Sequence, residues 1–335
     1  MSARRGKHTD ELVTVIMPAR NEEQAIGAAL DSVLGQSYQN LQFVVIDGGS
    51  TDGTRPIIEE RQALDPRLEV VTNPLPNIPV SLNMGLAEAR GRWLVRVDAH
   101  STVPPTYVAD LVARLREGTW AGVGGVKPGV GITPAGRAIA AAMGSRFGVG
   151  NSKYHYATTE LEVDHLPFGA YPVDLLREVG GWDENLVANE DYELDYRLRG
   201  RGGRLLLDPR VVIAWQCRQS VPDLYKQYVR YGKGKADVAM LHPASLSARH
   251  VVAPALVAWL ALAALRAGRH PAQAALMVSP YVAGVAVATR QTRRVLENDA
   301  DWVHLPGAFT AMHVGWGYGF WAGLVRGLVR RRSAR

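Results

Sequence analysis

Two short runs of side chains in this sequence are able to do chemistry: Asp98-Ala99-His100 and Glu190-Asp191. In the first, an Asp is followed two residues later by a His, a spacing that lets both side chains reach one side of an exposed loop. A carboxylate oxygen with an imidazole nitrogen suits Mn2+, and suits Mg2+ less well because Mg2+ prefers an all-oxygen shell. A plainer reading has Asp98 capping the next turn and His100 simply exposed. In the second run two carboxylates are adjacent, and close like charges favour a raised pKa on one of them. Alternatively, both are favourable first-turn charges on a helix running to Arg199.

The elements that must carry these residues follow from periodicity. Residues 12–17 form a β-branched apolar run stopped by Pro18, which reads as a buried strand. Residues 41–46 form a second, ending in Asp47-Gly48-Gly49-Ser50-Thr51-Asp52-Gly53; residues 68–72 form a third, and 93–97 a fourth that delivers Asp98. Between them lie helical spacings. Asn21 is expected to cap a helix carrying Ile26, Ala29, Leu30, Val33 and Leu34, with others starting near Thr54 and spanning 81–89. Such alternation predicts an α/β fold with a parallel sheet covered on both faces. Ligands collect beyond the carboxyl ends of such strands, where Pro18, Asp47 and Asp98 sit. After residue 120 the pattern loosens. A Gly-rich segment (122–131), an Ala-rich helix (135–143), a short helix (173–179) closed by Gly180-Gly181, a charged helix (189–199), a strand (204–213) and a basic amphipathic segment (222–237) follow.

The chain has 335 residues, 47% hydrophobic and 21% charged, enough for one large α/β domain with an appendage. A net charge of +6 suits phosphates, anionic headgroups or nucleic acid. The arginines gather around apolar stretches instead of among exposed aromatics, which argues against nucleic acid. The single Cys217 excludes an internal disulfide, fits a reducing compartment and has no metal-ligand spacing around it. The polar N-terminus shows no signal peptide. From residue 249 come three apolar stretches, 251–265, 271–289 and 305–325. A span needs about 20 apolar residues, so the first two are marginal and suit a tight hairpin. The third, with Trp316 and Trp321, looks interfacial. Arginines flank every stretch, so no topology follows. Membrane association is expected, against the alternative of an ordinary helical subdomain.

Five motifs in order make the sequence recognisable. Val15-Ile16-Met17-Pro18-Ala19-Arg20-Asn21-Glu22, Val45 to Thr54, Arg96-Val97-Asp98-Ala99-His100, Gly180-Gly181-Trp182-Asp183-Glu184 and Asn189-Glu190-Asp191 together resemble glycosyltransferase family 2. The resemblance covers about residues 12–240 and is nearest to exopolysaccharide transferases of the succinoglycan type, which share an Asp-Ala-His, a run like Phe168 to Tyr171 and an apolar tail. It implies a GT-A fold, a Rossmann-like nucleotide-diphospho-sugar transferase domain over residues 12–245. A polar tail (1–11) precedes it, and a membrane-associated helical region with a basic C-terminus (246–335) follows. It also implies inversion at the anomeric centre and a divalent cation, Mn2+ or Mg2+.

Carried over by position, Pro18, Ala19, Arg20 and Glu22 line the nucleoside pocket. Asp47 and Ser50 lie near the base or ribose, Asp52 braces the loop, and Asn83 and Arg96 are donor-side candidates. Asp98 reaches the ribose or the metal, and His100 stands where the family usually has a second Asp. Asp191 is the general base, and Glu190 positions it or binds acceptor. Gln227-Tyr228-Val229-Arg230-Tyr231 resembles the Gln-x-x-Arg-Trp of membrane-bound polysaccharide synthases. That places Gln227 and Arg230 on the donor diphosphate and Tyr231 against an acceptor sugar. Lys233 and Lys235 are expected in a Gly-containing loop or at lipid headgroups. Trp182 is either an acceptor platform or a core Trp after a Gly-Gly turn.

The implied function is transfer of a sugar from a nucleoside-diphosphate sugar, with a UDP-sugar expected, to a lipid-linked or polysaccharide acceptor. Its place would be exopolysaccharide biosynthesis at the cytoplasmic face of the cell membrane. The alternatives are a processive polysaccharide synthase, a nucleotidyltransferase and a non-catalytic nucleotide-sugar-binding scaffold. A nucleotidyltransferase usually needs a Gly-rich basic loop where this chain has Pro18-Ala19-Arg20-Asn21.

Overall fold

The computed structural model describes residues 11–75 and 77–333, so the expected polar tail lies outside the described residues apart from Glu11. The chain divides into two compact units. The first takes residues up to 126, 158–185 and 190–213; the second takes 127–157, 186–189 and 214–335.

The first unit is built on strands β1 (Val13–Ala19), β2 (Leu41–Asp47), β3 (Leu68–Thr72) and β4 (Trp93–Arg96), all parallel, in the order β3-β2-β1-β4. Every residue of β2 is buried, as a central strand with both faces covered requires. Helices Ile26–Leu34, Thr54–Leu64, Ile78–Glu88 and Tyr107–Leu115 supply the cover. Beyond β4 the sheet continues through Ala170–Pro172, Gly122–Val126, Leu205–Val212 and Leu161–Val163. The strand Ala170–Pro172 runs antiparallel to β4, so the sheet is mixed. Gly122–Val126, which periodicity leaves unassigned, is a strand because glycine lets Leu205–Val212 press against it: a Cβ at Gly125 would lie 2.0 Å from the Val211 carbonyl oxygen.

Asn21 is not a helix cap. The helix begins at Ile26 with Ala25 as its cap. Asn21 adopts φ +54°, and its side-chain oxygen accepts from the Thr51 amide at 2.9 Å. An Asx side chain with a partner on the next loop has no reason to turn back to its own helix.

In the second unit, helix Val221–Leu241 lies along helix Leu305–Ser333. Gly315, Gly319, Gly323 and Gly327 recur every fourth residue on the contact face; the first three let the two backbones touch, and Gly327 makes room for the Met240 thioether. This packing explains why 214–245, expected with the α/β domain, groups with the tail. Lys233 and Lys235 are therefore not in a loop but inside Val221–Leu241, and Lys235 is buried, donating to the Ser245 carbonyl at 3.2 Å. Cys217 is buried too, and burial pushes its thiol up to about 11, which makes it an inert structural thiol.

Among the described residues, two helices are long and apolar enough to cross a membrane, Ala248–Ala267 and Pro271–Arg293. Only 17% and 22% of their apolar windows are buried, unlike core helices. The glycine face yields a prediction. A Cβ at Gly319 would lie 2.2 Å from the Val229 carbonyl oxygen, whereas one at Gly268 meets nothing within 4 Å. Gly319→Ala should destabilise by about 1–3 kcal/mol through overpacking, despite the better helix propensity of Ala. Gly268→Ala should be neutral. Thermal unfolding midpoints in detergent check the pair, and equal midpoints would refute the tight packing.

Candidate active site

The loops after β1 and β2 are laced into one platform. The Asn21 amide donates to Ser50 Oγ at 3.0 Å, and the Glu22 amide to Thr54 Oγ1 at 2.7 Å. Asp52 accepts from the Glu23 and Thr54 amides at 3.2 and 3.0 Å, bracing the turn that starts helix Thr54–Leu64. Asp47 is buried at the end of β2 and accepts from the Ser50 amide at 3.0 Å. Pro18 and Ala19 end β1, and Arg20 projects exposed beyond them. Backbone amides committed to hydroxyls and carboxylates make this platform rigid, which suits a nucleoside-binding wall.

Asp98 follows β4 and accepts from Arg96 Nε at 3.0 Å. His100 is partly exposed, with Nδ1 3.2 Å from Glu22 Oε1. A carboxylate on Nδ1 fixes the tautomer that leaves Nε2 for a ligand, the arrangement usual behind metal-bound histidines. No cluster of three or more His, Cys, Asp or Glu able to hold an ion occurs among the described residues. Asp98 and His100 are of the side-chain types that ligate a divalent cation, and two such groups leave the remaining positions to ligands from outside the described chain.

Arg96 is the centre of the site's electrostatics. Although 4% exposed, it reaches three carboxylates. Its Nη1 donates to Asp191 Oδ1 and Oδ2 at 2.7 and 2.6 Å and to Glu190 Oε1 at 3.2 Å, while Nε holds Asp98. The Phe168 ring lies 5.3 Å from the guanidinium carbon. Burial pulls the Arg96 guanidinium down, but Asp191, Asp98 and Glu190 outweigh it and hold the group above its ordinary value. Glu190 is pushed up from the usual carboxylate range by burial and then by the Asp191 charge, against the pull of Arg96. Helix Glu190–Gly200 places both carboxylates in its first turn, with Asn189 in a left-handed conformation (φ +64°) just before it.

Two expected site residues act on neighbouring protein groups. The Asn83 amide brackets a loop, accepting from the Trp182 amide at 2.8 Å and donating to the Trp182 carbonyl at 2.8 Å and to Glu184 Oε1 at 2.9 Å. Its polar atoms are engaged there. Trp182 is 2% exposed and offers no open face to a sugar, which corrects the platform reading; its Nε1 donates to Asp191 Oδ1 at 3.0 Å. Gln227, Arg230 and Tyr231 belong to the second unit, where Gln227 Nε2 donates to the Tyr231 hydroxyl at 3.0 Å and Arg230 lies 5.9 Å from the Tyr231 ring.

One group was missed from sequence. Asp195, a turn after Asp191 and fully buried, accepts from the Leu166 amide at 2.7 Å and the Tyr171 hydroxyl at 3.0 Å, and pairs with His165 Nδ1 at 2.9 Å. It ties the segment carrying Phe168, itself at φ +54°, to the helix of Asp191. Its spacing of four from Asp191 was the available signal.

The profile of the family described as "Glycosyl transferase family 2" matches residues 14–177. The succinoglycan biosynthesis protein ExoA of Rhizobium meliloti (strain 1021) is 31% identical, over 97% of this chain and 99% of its own length. The chain belongs to glycosyltransferase family 2. A second relative of this family 2 protein, from Methanococcus voltae, is a dolichyl N-acetyl-alpha-D-glucosaminyl phosphate 3-beta-D-2,3-diacetamido-2,3-dideoxy-beta-D-glucuronosyltransferase, 25% identical over 67% of this chain and 72% of that one. Among solved structures, a mannosyltransferase from Pyrobaculum calidifontis in complex with GDP-Man and Mn2+ superposes with a TM-score of 0.63 at 22% identity, covering 90% of this chain and 86% of that one. The GT-A fold and a glycosyltransferase of exopolysaccharide or glycan biosynthesis follow for this family 2 chain.

Proposed function

We propose that this family 2 enzyme is an inverting transferase that moves one sugar from a nucleoside-diphosphate sugar to a lipid-linked or polysaccharide acceptor. The observation that carries the reading is the Arg96 cluster, which brings Asp98 from the end of β4 together with Asp191 from helix Glu190–Gly200. Asp191 takes the proton of the acceptor hydroxyl. The hydroxyl oxygen forms the new bond to the anomeric carbon from the face opposite the diphosphate. The bond from that carbon to the phosphate oxygen breaks, and its electron pair leaves with the diphosphate. The platform of Pro18, Ala19, Arg20, Glu22, Asp47 and Ser50 orients the nucleotide for this attack. A divalent cation at Asp98 and His100 would supply positive charge to the diphosphate.

The exposed apolar helices Ala248–Ala267 and Pro271–Arg293 favour work at a membrane, and a nucleotide-sugar donor favours its cytoplasmic face. The test is a screen of UDP- and GDP-sugars with Mn2+ or Mg2+, read as nucleoside-diphosphate release in the presence of membrane lipid extract. Release that depends on one donor, a divalent cation and the extract supports the proposal. A product lengthened by many sugars would replace it with a processive synthase, and no release with any donor would refute it.

A further inference from the structure

An arginine that serves a diphosphate presents its planar fork to the ligand. Arg96 does the opposite. Its Nε and Nη1 are turned onto Asp98, Glu190 and Asp191 at 2.6–3.2 Å, the Phe168 ring lies over its carbon, and the residue is buried. Two of its three nitrogens are thereby committed to carboxylates of the protein itself.

The same geometry joins parts of the chain that sequence keeps far apart. Asp98 belongs to the strand-end loop on the donor side, and Asp191 opens a helix 95 residues beyond Arg96. Trp182 Nε1 fixes one oxygen of Asp191 from the other side. With an arginine on both oxygens and an indole on one, the carboxylate has little freedom left to swing. Phe168 holds the guanidinium in this plane from a left-handed backbone conformation, which costs a non-glycine residue free energy and marks an over-determined position.

We propose that Arg96 is the positioning residue of the transfer reaction: its fork holds the base Asp191 in register with the donor-side Asp98 and makes no contact with the donor. This rests on the reading of Asp191 as base.

The discriminating variant is Arg96→Lys, which keeps the buried positive charge but cannot bridge carboxylates with a planar fork. The full chain would be compared in detergent for unfolding midpoint, binding of UDP and GDP with Mn2+, and turnover with the donor found by the screen above. A loss of about 30-fold or more in kcat is expected, with nucleoside-diphosphate affinity changed by less than about threefold and the midpoint near that of the parent. Retained turnover would overturn the proposal, because a merely charge-balancing arginine is rescued by lysine. An affinity loss matching the turnover loss would overturn it too, by making Arg96 a donor contact.

If Arg96→Lys does not fold, Arg96→Gln with the same three readouts takes its place. The cycle with Asp191→Asn separates this proposal from the reading beneath it. Positioning through Asp191 requires that Arg96→Lys costs little further turnover once Asp191 is Asn, whereas additive losses refute it. Full turnover in Asp191→Asn alone instead removes the base assignment, whatever Arg96→Lys does.

Discussion

Replacing Asp191 by Asn is expected to cut sugar transfer by about 1,000-fold or more, while nucleoside-diphosphate affinity stays within about threefold. The size follows from what the change removes. Asn is isosteric, so its Oδ1 can still accept from Trp182 Nε1, now 3.0 Å from Asp191 Oδ1. What disappears is the acceptor for the proton of the attacking hydroxyl. The fold should survive, because Arg96 keeps Asp98 and Glu190 as partners, and a buried cation with partners is not stranded. Glu190 is a poor substitute base. It is buried, and its Oε1 is already taken by Arg96 Nη1. The check is single-turnover transfer beside a nucleotide-binding titration on the same preparation. Turnover within about tenfold of the parent would sink the base assignment.

Much of the first unit was legible because its early strands are short apolar runs bounded by turn residues. Strands β2 to β4 fall where the pattern puts them, whereas β1 runs on through Pro18 to Ala19 instead of stopping before the proline. Beyond β4 the signal failed for a physical reason. Gly122–Val126 packs through absent side chains, and Leu161–Val163 and Ala170–Pro172 are three residues each, too short for any period to register. The tail's apolar stretches were visible. Its pairing with Val221–Leu241 was not, because glycines recurring at 315, 319, 323 and 327 read as flexibility until a facing helix gives them a purpose.

The site divides in the same way. Local spacing identifies the residues, and only the sheet order decides their partners. Arg96 looks like a donor ligand because it lies two residues before Asp98. Its fork reaches Asp191 because Ala170–Pro172 pairs with β4 and carries the preceding Phe168 against it. Asn83 and Trp182 were ambiguous for the same reason: each has polar atoms suited to a ligand, and each spends them on a loop or a carboxylate.

Asp98→Asn should be the second severe lesion, lowering kcat/KM by about 100-fold or more, with the loss shared between donor affinity and turnover. Asp98 carries two tasks that both need its charge. In the proposed site it is one of two ligands for a divalent cation, and it accepts from Arg96 Nε at 3.0 Å. An amide oxygen is a weaker ligand for a hard cation, and the amide leaves Arg96 to Glu190 and Asp191 alone. His100 offers the contrast. Its partner is Glu22 at 3.2 Å, outside the Arg96 cluster, so His100→Ala should cost less than Asp98→Asn and mainly raise the cation concentration needed. His100→Asp tests the chemistry of the site directly. Exchanging nitrogen for oxygen should raise activity with Mg2+ relative to Mn2+, because Mg2+ favours an all-oxygen shell. Turnover measured across both cations in the three variants decides the matter. A Mg2+ to Mn2+ ratio unmoved by His100→Asp would take His100 off the cation and leave Asp98 as its protein ligand.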